Sequence, residues 1–161
     1  MRNQHHGGGI IFLTFIIALI LTVMPMPGWA VTLRPEWMLL TLVYWCLALP
    51  NRIGVGTAWT VGLLMDVILG AVLGQHALSL SIIAYLTLKL HQRVRVFPLW
   101  QQALFIMVLT ALHQMLILWT TSMTDVTSHA ISYWLPSISS TIIWPVVFLI
   151  LRNVRRHFFV T

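Results

Sequence analysis

Long apolar segments, separated by short polar junctions, run through almost the entire chain. Nine basic and three acidic side chains are the only charged groups among 161 residues. In an ordinary soluble domain about a quarter of the residues are charged, and they form its hydrated surface. So few charges cannot cover a soluble domain of this length. The chain is therefore predicted to be an integral membrane protein, and water-soluble enzymes are largely excluded as a class.

The apolar segments predict an all-α, polytopic helical bundle of about six transmembrane helices, folded as a single membrane domain. A helix rises about 1.5 Å per residue, so about 20 apolar residues cross the hydrocarbon core. The segment that starts at residue 53 is too long for one crossing, and Gly74-Gln75-His76 is its natural break. The predicted spans are residues 10–26, 34–50, 53–73, 77–90, 99–123 and 131–151.

The second segment is the weakest of the six. Its uninterrupted apolar part, residues 37–49, is short for a crossing. A longer segment admits Arg34, Pro35 and Glu36. The alternative is a chain of five spans in which this segment is re-entrant or tilted and does not cross.

The basic residues predict the orientation of the bundle. If both termini are cytoplasmic, eight of the nine basic residues fall on the cytoplasmic side, as the positive-inside rule requires. Five spans with the same basic clusters inside would move the N-terminus and Arg2 outside. Because these residues lie at the ends of apolar segments, orientation explains them and nucleic-acid binding is not needed. Apart from Arg2, the predicted orienting residues are Arg52, Lys89, Arg93, Arg95, Arg152, Arg155 and Arg156.

The N-terminal segment also has the order of a secretory signal, with Gly28-Trp29-Ala30 as a small-x-small triplet. Its apolar core is longer than the about 7–15 residues of such signals, and a tryptophan beside the cleavage point is unfavourable. An uncleaved anchor is therefore predicted. Cleavage, the alternative, would leave the later topology unchanged.

Asp66 is predicted to lie deep in the third span, fourteen residues after Arg52. An ionised carboxylate at that depth is costly. Gly62, Asp66, Gly70 and Gly74 recur every four residues and are predicted to share one helix face, where a neighbouring helix can approach closely. Asp66 then either belongs to a proton or substrate path or is a hydrogen-bonded residue that locks helices together. The second reading is favoured, because a path usually needs several polar residues per helix.

His113 and Gln114 are predicted to lie at a similar depth in the fifth span. Either is a candidate to form a hydrogen bond with Asp66 across the bundle. The alternative is that the three side chains never meet.

The remaining reactive residues predict neither an enzyme nor a cofactor or metal site. His76, His91, His129 and His157 are spread over span ends without metal-ligand spacing. A single cysteine, Cys46, excludes an intramolecular disulfide. The serines have no evident base nearby and are attributed to helix packing; they are Ser79, Ser81, Ser137, Ser139 and Ser140.

Several short sequence pieces, in order along most of the chain, together carry a family resemblance. No piece is diagnostic alone, but the ordered set is specific. The pieces are Arg34-Pro35-Glu36-Trp37, Tyr44-Trp45, Leu47-Ala48-Leu49-Pro50-Asn51-Arg52, Gly54-Val55-Gly56-Thr57, residues 62–74 with Asp66, Ser81-Ile82-Ile83-Ala84-Tyr85-Leu86, Leu99-Trp100-Gln101-Gln102-Ala103-Leu104 and Leu151-Arg152-Asn153-Val154-Arg155-Arg156. By these pieces and by its length, the chain resembles the MreD family of bacterial rod shape-determining proteins. Glu36 departs from the pattern, in which Asn or Asp is expected after Arg-Pro.

The resemblance implies a non-enzymatic inner-membrane scaffold of the elongation machinery, which builds the lateral peptidoglycan of rod-shaped bacteria. It implies binding to the bitopic protein MreC, and work with MreB, RodA and a transpeptidase directly or indirectly. Docking of a partner helix is expected along residues 62–74. The basic residues of 89–95 and 152–156 could also contact anionic lipid or a cytoplasmic partner, although orientation alone is favoured.

The family's fold is also similar to that of the small-molecule-binding subunits of certain vitamin transporters. The alternative function is therefore a small-molecule-binding or transport subunit. In that case Asp66, His113 and Gln114 would line a pocket near the membrane midplane.

Overall fold

The computed structural model describes residues 7–122 and 131–158, and within these ranges the secondary structure consists of helices joined by turns and short connections. The all-α prediction is confirmed for this part of the chain. A 3-10 helix at Ile131–Trp134 precedes the last α-helix. The α-helices are α1 (Gly8–Val23), α2 (Gly28–Val31), α3 (Trp37–Ala48), α4 (Val55–Leu69), α5 (Gln75–Val94), α6 (Leu99–Ser122) and α7 (Leu135–His157).

The longer helices alternate in direction. The backbone N–H of Glu36 donates to Ser140 Oγ at 3.0 Å, so α3 and α7 begin at the same end. Gln75, the first residue of α5, donates to Thr121 near the end of α6. The α5–α6 turn at the other end is held by Gln102, which donates to the carbonyl oxygen of Val94. Because α3, α5 and α7 run in parallel, their first turns define one end of the bundle and their last turns the other.

The centre of the bundle is α3. Every residue from Met38 to Leu47 is buried, and α3 packs against α1, α5 and α7. A buried hydrogen bond from Trp45 Nε1 to Thr14 Oγ1, 2.9 Å long, joins α3 to α1. The apolar second segment of the sequence is therefore the core helix of the fold, although it has only 12 residues.

Two helices, α6 and α7, are long and apolar enough to cross a membrane. The apolar helices α1, α3 and α4 are shorter. The predicted six spans and the cytoplasmic position of both termini therefore stay predictions. Met123, Asp125 and His129 lie outside the described ranges, as does the end of the predicted fifth span.

The helix of the predicted third span is shorter than the span predicted for it. Helix α4 ends at Leu69, because Gly70 adopts a left-handed backbone with φ of 64°. Gly74, also left-handed with φ of 97°, precedes the first residue of α5. Left-handed backbone is easy for glycine and costly for other residues. Gly70 and Gly74 therefore form the turn between two helices, and the predicted glycine face is limited to Gly62 and Asp66.

Candidate functional site

The carboxylate of Asp66 caps the start of α5. Its Oδ2 accepts hydrogen bonds from the backbone N–H of Gly74 at 2.8 Å and of Ala77 at 3.4 Å. Its Oδ1 accepts the backbone N–H of His76 at 2.9 Å. The first N–H groups of a helix have no partner within the helix, and a negative charge is favoured there. Asp66 is 1% exposed, so this cap compensates for the burial of its charge.

The same residue also receives the end of α4. The backbone carbonyl oxygen of Asp66 accepts hydrogen bonds from the N–H groups of Gly70 and Ala71. Asp66 thus binds the last turn of one helix with its backbone and the first turn of the next with its side chain. These are the contacts of a residue that locks two helices together.

The predicted hydrogen bond from Asp66 to His113 or Gln114 is not formed in the described part of the chain. Oδ1 of Asp66 instead lies 2.8 Å from Nδ1 of His76. The rings of His76 and His113 are neighbours, with centroids 5.9 Å apart. His76 therefore stands between Asp66 and His113, because it occupies the first turn of the helix that Asp66 caps.

His113 of α6 lies in a second set of polar contacts. Its Nδ1 is 2.6 Å from the hydroxyl of Ser79, and its Nε2 is 3.9 Å from a carboxylate oxygen of Glu36. The expectation that Ser79 has no base nearby is therefore wrong. A serine, a histidine and a carboxylate in this order resemble a nucleophilic triad. Ser79 is 1% and His113 2% exposed, so these two side chains are enclosed by protein and form a packing contact between α5 and α6.

Gln114 joins α6 to the start of α7. It accepts a hydrogen bond from Ser137 Oγ at 2.6 Å and donates one to the carbonyl oxygen of Tyr133 at 3.1 Å. Gln75 makes a similar contact nearer the C-terminal end of α6, where its Nε2 donates to Thr121 Oγ1. The side chains of Glu36, Asp66, His76, Ser79, His113, Gln114 and Ser137 form the polar cluster, which lies where α3, α5 and α7 begin.

Gly62 is a point of close helix approach, but the approaching helix belongs to the same chain. A Cβ atom placed on Gly62 would lie 2.5 Å from the backbone nitrogen of Ala77, and closer still to its Cα. Since α5 already occupies this position, Gly62 is closed to a helix from another protein.

The Arg-Pro-Glu-Trp segment links three helices. Nη2 of Arg34 donates to the carbonyl oxygen of Met24 at 3.2 Å, just after α1 ends. Glu36 is bonded to α7 through its backbone N–H, and its carboxylate faces His113. A shorter Asn or Asp at position 36 would keep the backbone bond, since that bond does not use the side chain.

The predicted orienting residues lie toward the other end of the bundle, at the α3–α4 turn and in the last turns of α5 and α7. Three of them, Arg95, Arg152 and Arg155, line a cavity of about 270 Å³, called here the arginine cavity. Arg93 is exposed. Nζ of Lys89 lies 5.9 Å from the ring centroid of Tyr85. The predicted orienting residues that do not line this cavity are Arg52, Lys89, Arg93 and Arg156.

No group of three or more His, Cys, Asp or Glu side chains within residues 7–122 and 131–158 could hold a metal ion. His76 and Ser79, which the sequence did not single out as partners of other polar residues, are the main additions to the polar cluster. The glycine before Gln75 was a signal for a break between helices, and α5 begins just after it. The identity of the capping carboxylate had no local signal, because Asp66 lies eight residues before Gly74.

Comparison with known proteins identifies the family. The family model for "rod shape-determining protein MreD" matches residues 5–154. A rod shape-determining protein MreD of Haemophilus influenzae is 36% identical over 146 residues, which cover 88% of each chain. No solved structure matches. Since the family model spans nearly the whole chain and the relative aligns along almost its full length, the chain belongs to the rod shape-determining protein MreD family.

Proposed function

We propose that this protein is a non-enzymatic scaffold of the bacterial inner membrane, required for rod shape and for lateral peptidoglycan synthesis by the elongation machinery. The observation that carries the proposal is the family match over residues 5–154. The fold agrees with it, because its polar side chains are used to hold helices together. Ser79 and His113, the pair closest to catalytic geometry, are enclosed.

The proposed direct partner is an MreC-like bitopic membrane protein, bound through its single transmembrane helix. Docking along residues 62–74 has little support, because α5 covers Gly62 and the chain turns at Gly70. An apolar groove of about 460 Å³ between α1 and α4, with Met38 of α3 among its lining residues, is the better place. Its walls include Phe12, Ile16 and Leu64, which are exposed in this chain. An apolar helix would cover these side chains.

MreB, RodA and the transpeptidase are proposed as further members of the complex, reached directly or through the MreC-like protein. The lipid bilayer surrounds the bundle in this proposal, with all six predicted spans crossing it. Nucleic acid has no role, since the basic residues gather at one end of the helices, as orientation requires.

The alternative function, a small-molecule-binding or transport subunit, has less support. The polar cluster contains Asp66, His113 and Gln114, the residues expected to line such a pocket, but the Asp66 carboxylate is already bound by three backbone N–H groups and His76. A transport role would predict loss of uptake with normal cell shape.

The test is complementation in a rod-shaped bacterium depleted of its own MreD protein. Wild-type protein should restore rods and retain the MreC-like protein on purification in mild detergent. The groove double variant Ile16→Ala/Leu64→Ala should lose most of that partner. The matched control is Ile20→Ala/Val67→Ala, which removes apolar side chains of greater exposure outside the groove. Equal retention by both variants would contradict docking in the groove, and normal rods without the protein would contradict the function itself.

A further inference from the structure

The arginine cavity lies where α3, α5 and α7 end, opposite the polar cluster. Arg95 follows the last residue of α5, and Arg152 and Arg155 belong to the last two turns of α7. Gln102, near the start of α6, completes the polar lining together with Tyr44 of α3. Three helices and the start of a fourth therefore bring five polar side chains to one space.

The cavity has an excess of positive charge. The two acidic residues in the described ranges, Glu36 and Asp66, both belong to the polar cluster at the other end. Within those ranges no hydrogen bond or ion pair engages the guanidinium groups of Arg95, Arg152 or Arg155. A helix C-terminus carries about half a negative charge. Three such ends offset only about half of three guanidinium charges, so the cavity stays positive.

Gln102 supplies an independent sign of a missing partner. It is 4% exposed, and its Nε2 donates to the carbonyl oxygens of Val94 at 3.3 Å and Phe97 at 3.1 Å. Its Oε1 is buried and has no hydrogen-bond partner. A buried acceptor without a partner destabilises the folded protein, because it has lost its hydrogen bonds to water. A ligand that brings a hydrogen-bond donor would remove that cost.

Tyr44 adds a donor beside an apolar wall. It is buried, its ring packs edge-on against Phe148 with centroids 5.6 Å apart, and both side chains line the cavity. Its hydroxyl makes no hydrogen bond to the described residues. The ligand should therefore combine an anion for the arginines and tyrosine, a donor for Gln102 and an apolar part for the wall.

We propose that the arginine cavity binds a phosphate group whose substituent carries a hydroxyl, as in the headgroup of the anionic lipid phosphatidylglycerol. Guanidinium groups bind phosphate oxygens through paired hydrogen bonds. Basic pockets between transmembrane helices are suited to anionic lipid headgroups. The volume, about 270 Å³, is just below the roughly 300–1,000 Å³ of ordinary small-molecule pockets, so a headgroup fits better than a large ligand.

The test is lipid titration of the purified full-length protein, followed by native mass spectrometry. Phosphatidylglycerol should bind about tenfold more tightly than phosphatidylcholine, which has no net charge. The double variant Arg152→Gln/Arg155→Gln should lose about tenfold in affinity for phosphatidylglycerol. The control Arg93→Gln/Arg156→Gln removes the same charge outside the cavity and should leave that affinity unchanged. Equal loss in both double variants, or loss in neither, would overturn the site.

Two further measurements need no variant. Phosphatidylmethanol carries the same phosphodiester without a hydroxyl on its headgroup, so wild-type protein should bind it more weakly than phosphatidylglycerol. Equal binding of the two lipids would contradict a hydrogen bond from the headgroup hydroxyl to Oε1 of Gln102. Soluble glycerol phosphate distinguishes the two sources of the phosphate. Displacement of the lipid at millimolar concentration would assign the site to a free phosphate compound, and no displacement would assign it to the lipid; both outcomes support a phosphate site.

Discussion

At the scale of single residues, Asp66 shows how an apolar helix accommodates a buried carboxylate. Its three backbone donors and His76 all lie within eleven residues of it in sequence. Three of these contacts are backbone N–H groups that would otherwise be unpaired at the start of α5. The energetic benefit is therefore mutual, because the charge gains donors and the helix gains a cap.

Replacement of Asp66 should destabilise the protein more than loss of a side chain on a lipid-facing surface would. Asp66→Ala leaves the N–H groups of Gly74, His76 and Ala77 without a partner, and we expect a loss of about 2–4 kcal/mol. Asp66→Asn keeps one acceptor oxygen and should lose about half as much. Thermal unfolding of the purified protein in detergent measures both. Val67→Ala, at an exposed neighbouring position, is the control; an Asp66→Ala protein as stable as this control would contradict the capping role.

At the scale of helices, α4 and α5 form a tight antiparallel pair that depends on two glycines in different ways. Gly62 lets the backbones approach, and Gly70 ends α4 with its left-handed backbone. The regular spacing of Gly62, Asp66, Gly70 and Gly74 suggested one role for all four. Gly70 and Gly74 instead form the turn between α4 and α5.

Gly62→Ala should destabilise the protein, because its Cβ would overlap the backbone of Ala77, which cannot move without separating the helices. Overpacking of this kind costs about 1–3 kcal/mol. Gly56→Ala lies on the same helix with open space around its Cβ, and should be neutral or slightly stabilising because alanine favours helix. Unfolding in detergent compares the two variants. The close approach would be contradicted if both variants had the same stability.

Gly70→Ala should cost about 1–2 kcal/mol, although nothing lies within 4 Å of its new Cβ. The cost comes from the left-handed backbone, with φ of 64°. Asparagine tolerates this conformation better than alanine, so Gly70→Asn should be the more stable of the two variants. The opposite order, measured by the same unfolding experiment, would show that bulk rather than backbone conformation matters at this position.

Sequence reasoning identified the helices well and their polar contacts poorly. Apolar runs placed the start of α6 at Leu99 and located α7, although α7 runs from Leu135 to His157 and not over residues 131–151. They succeed because burial and membrane exposure both require apolar side chains over a whole helix. The sequence pattern also placed Asp66 correctly on a helix and near glycines at which helices pack. It missed His76 as the partner of Asp66, because a turn with two left-handed glycines reverses the chain between them. The direction after such a turn depends on backbone angles that hydropathy does not report.

At the scale of the whole molecule, charge and polarity are separated along the helices. The polar cluster occupies one end, and seven basic residues lie toward the other, at Arg52, Lys89, Arg93, Arg95, Arg152, Arg155 and Arg156. The alternating directions of α3 to α7 keep these basic segments together. If the bundle spans the membrane as predicted, the positive-inside rule places this end in the cytoplasm.

Reporter fusions test that orientation. Alkaline phosphatase, which is active only after export, should be inactive when fused after Thr161 and active when inserted after Thr32. Five spans with the same basic residues inside would instead place Thr32 in the cytoplasm and make the second fusion inactive. Activity after Thr161 would contradict both arrangements. A fluorescent protein fused at the same two positions, which matures only in the cytoplasm, serves as the control.

The contacts of Asp66 also bear on how the chain enters the membrane. Every donor to its carboxylate is supplied by residues 74–77, so the charge is compensated as soon as α4 and the first turn of α5 are both present. No helix from the N- or C-terminal part of the chain has to arrive first. The α4–α5 hairpin can therefore shield its most costly group by itself, without contacts from α6 or α7. If the bundle spans the membrane as predicted, this hairpin is able to enter lipid as one unit, before α6 and α7 pack against it.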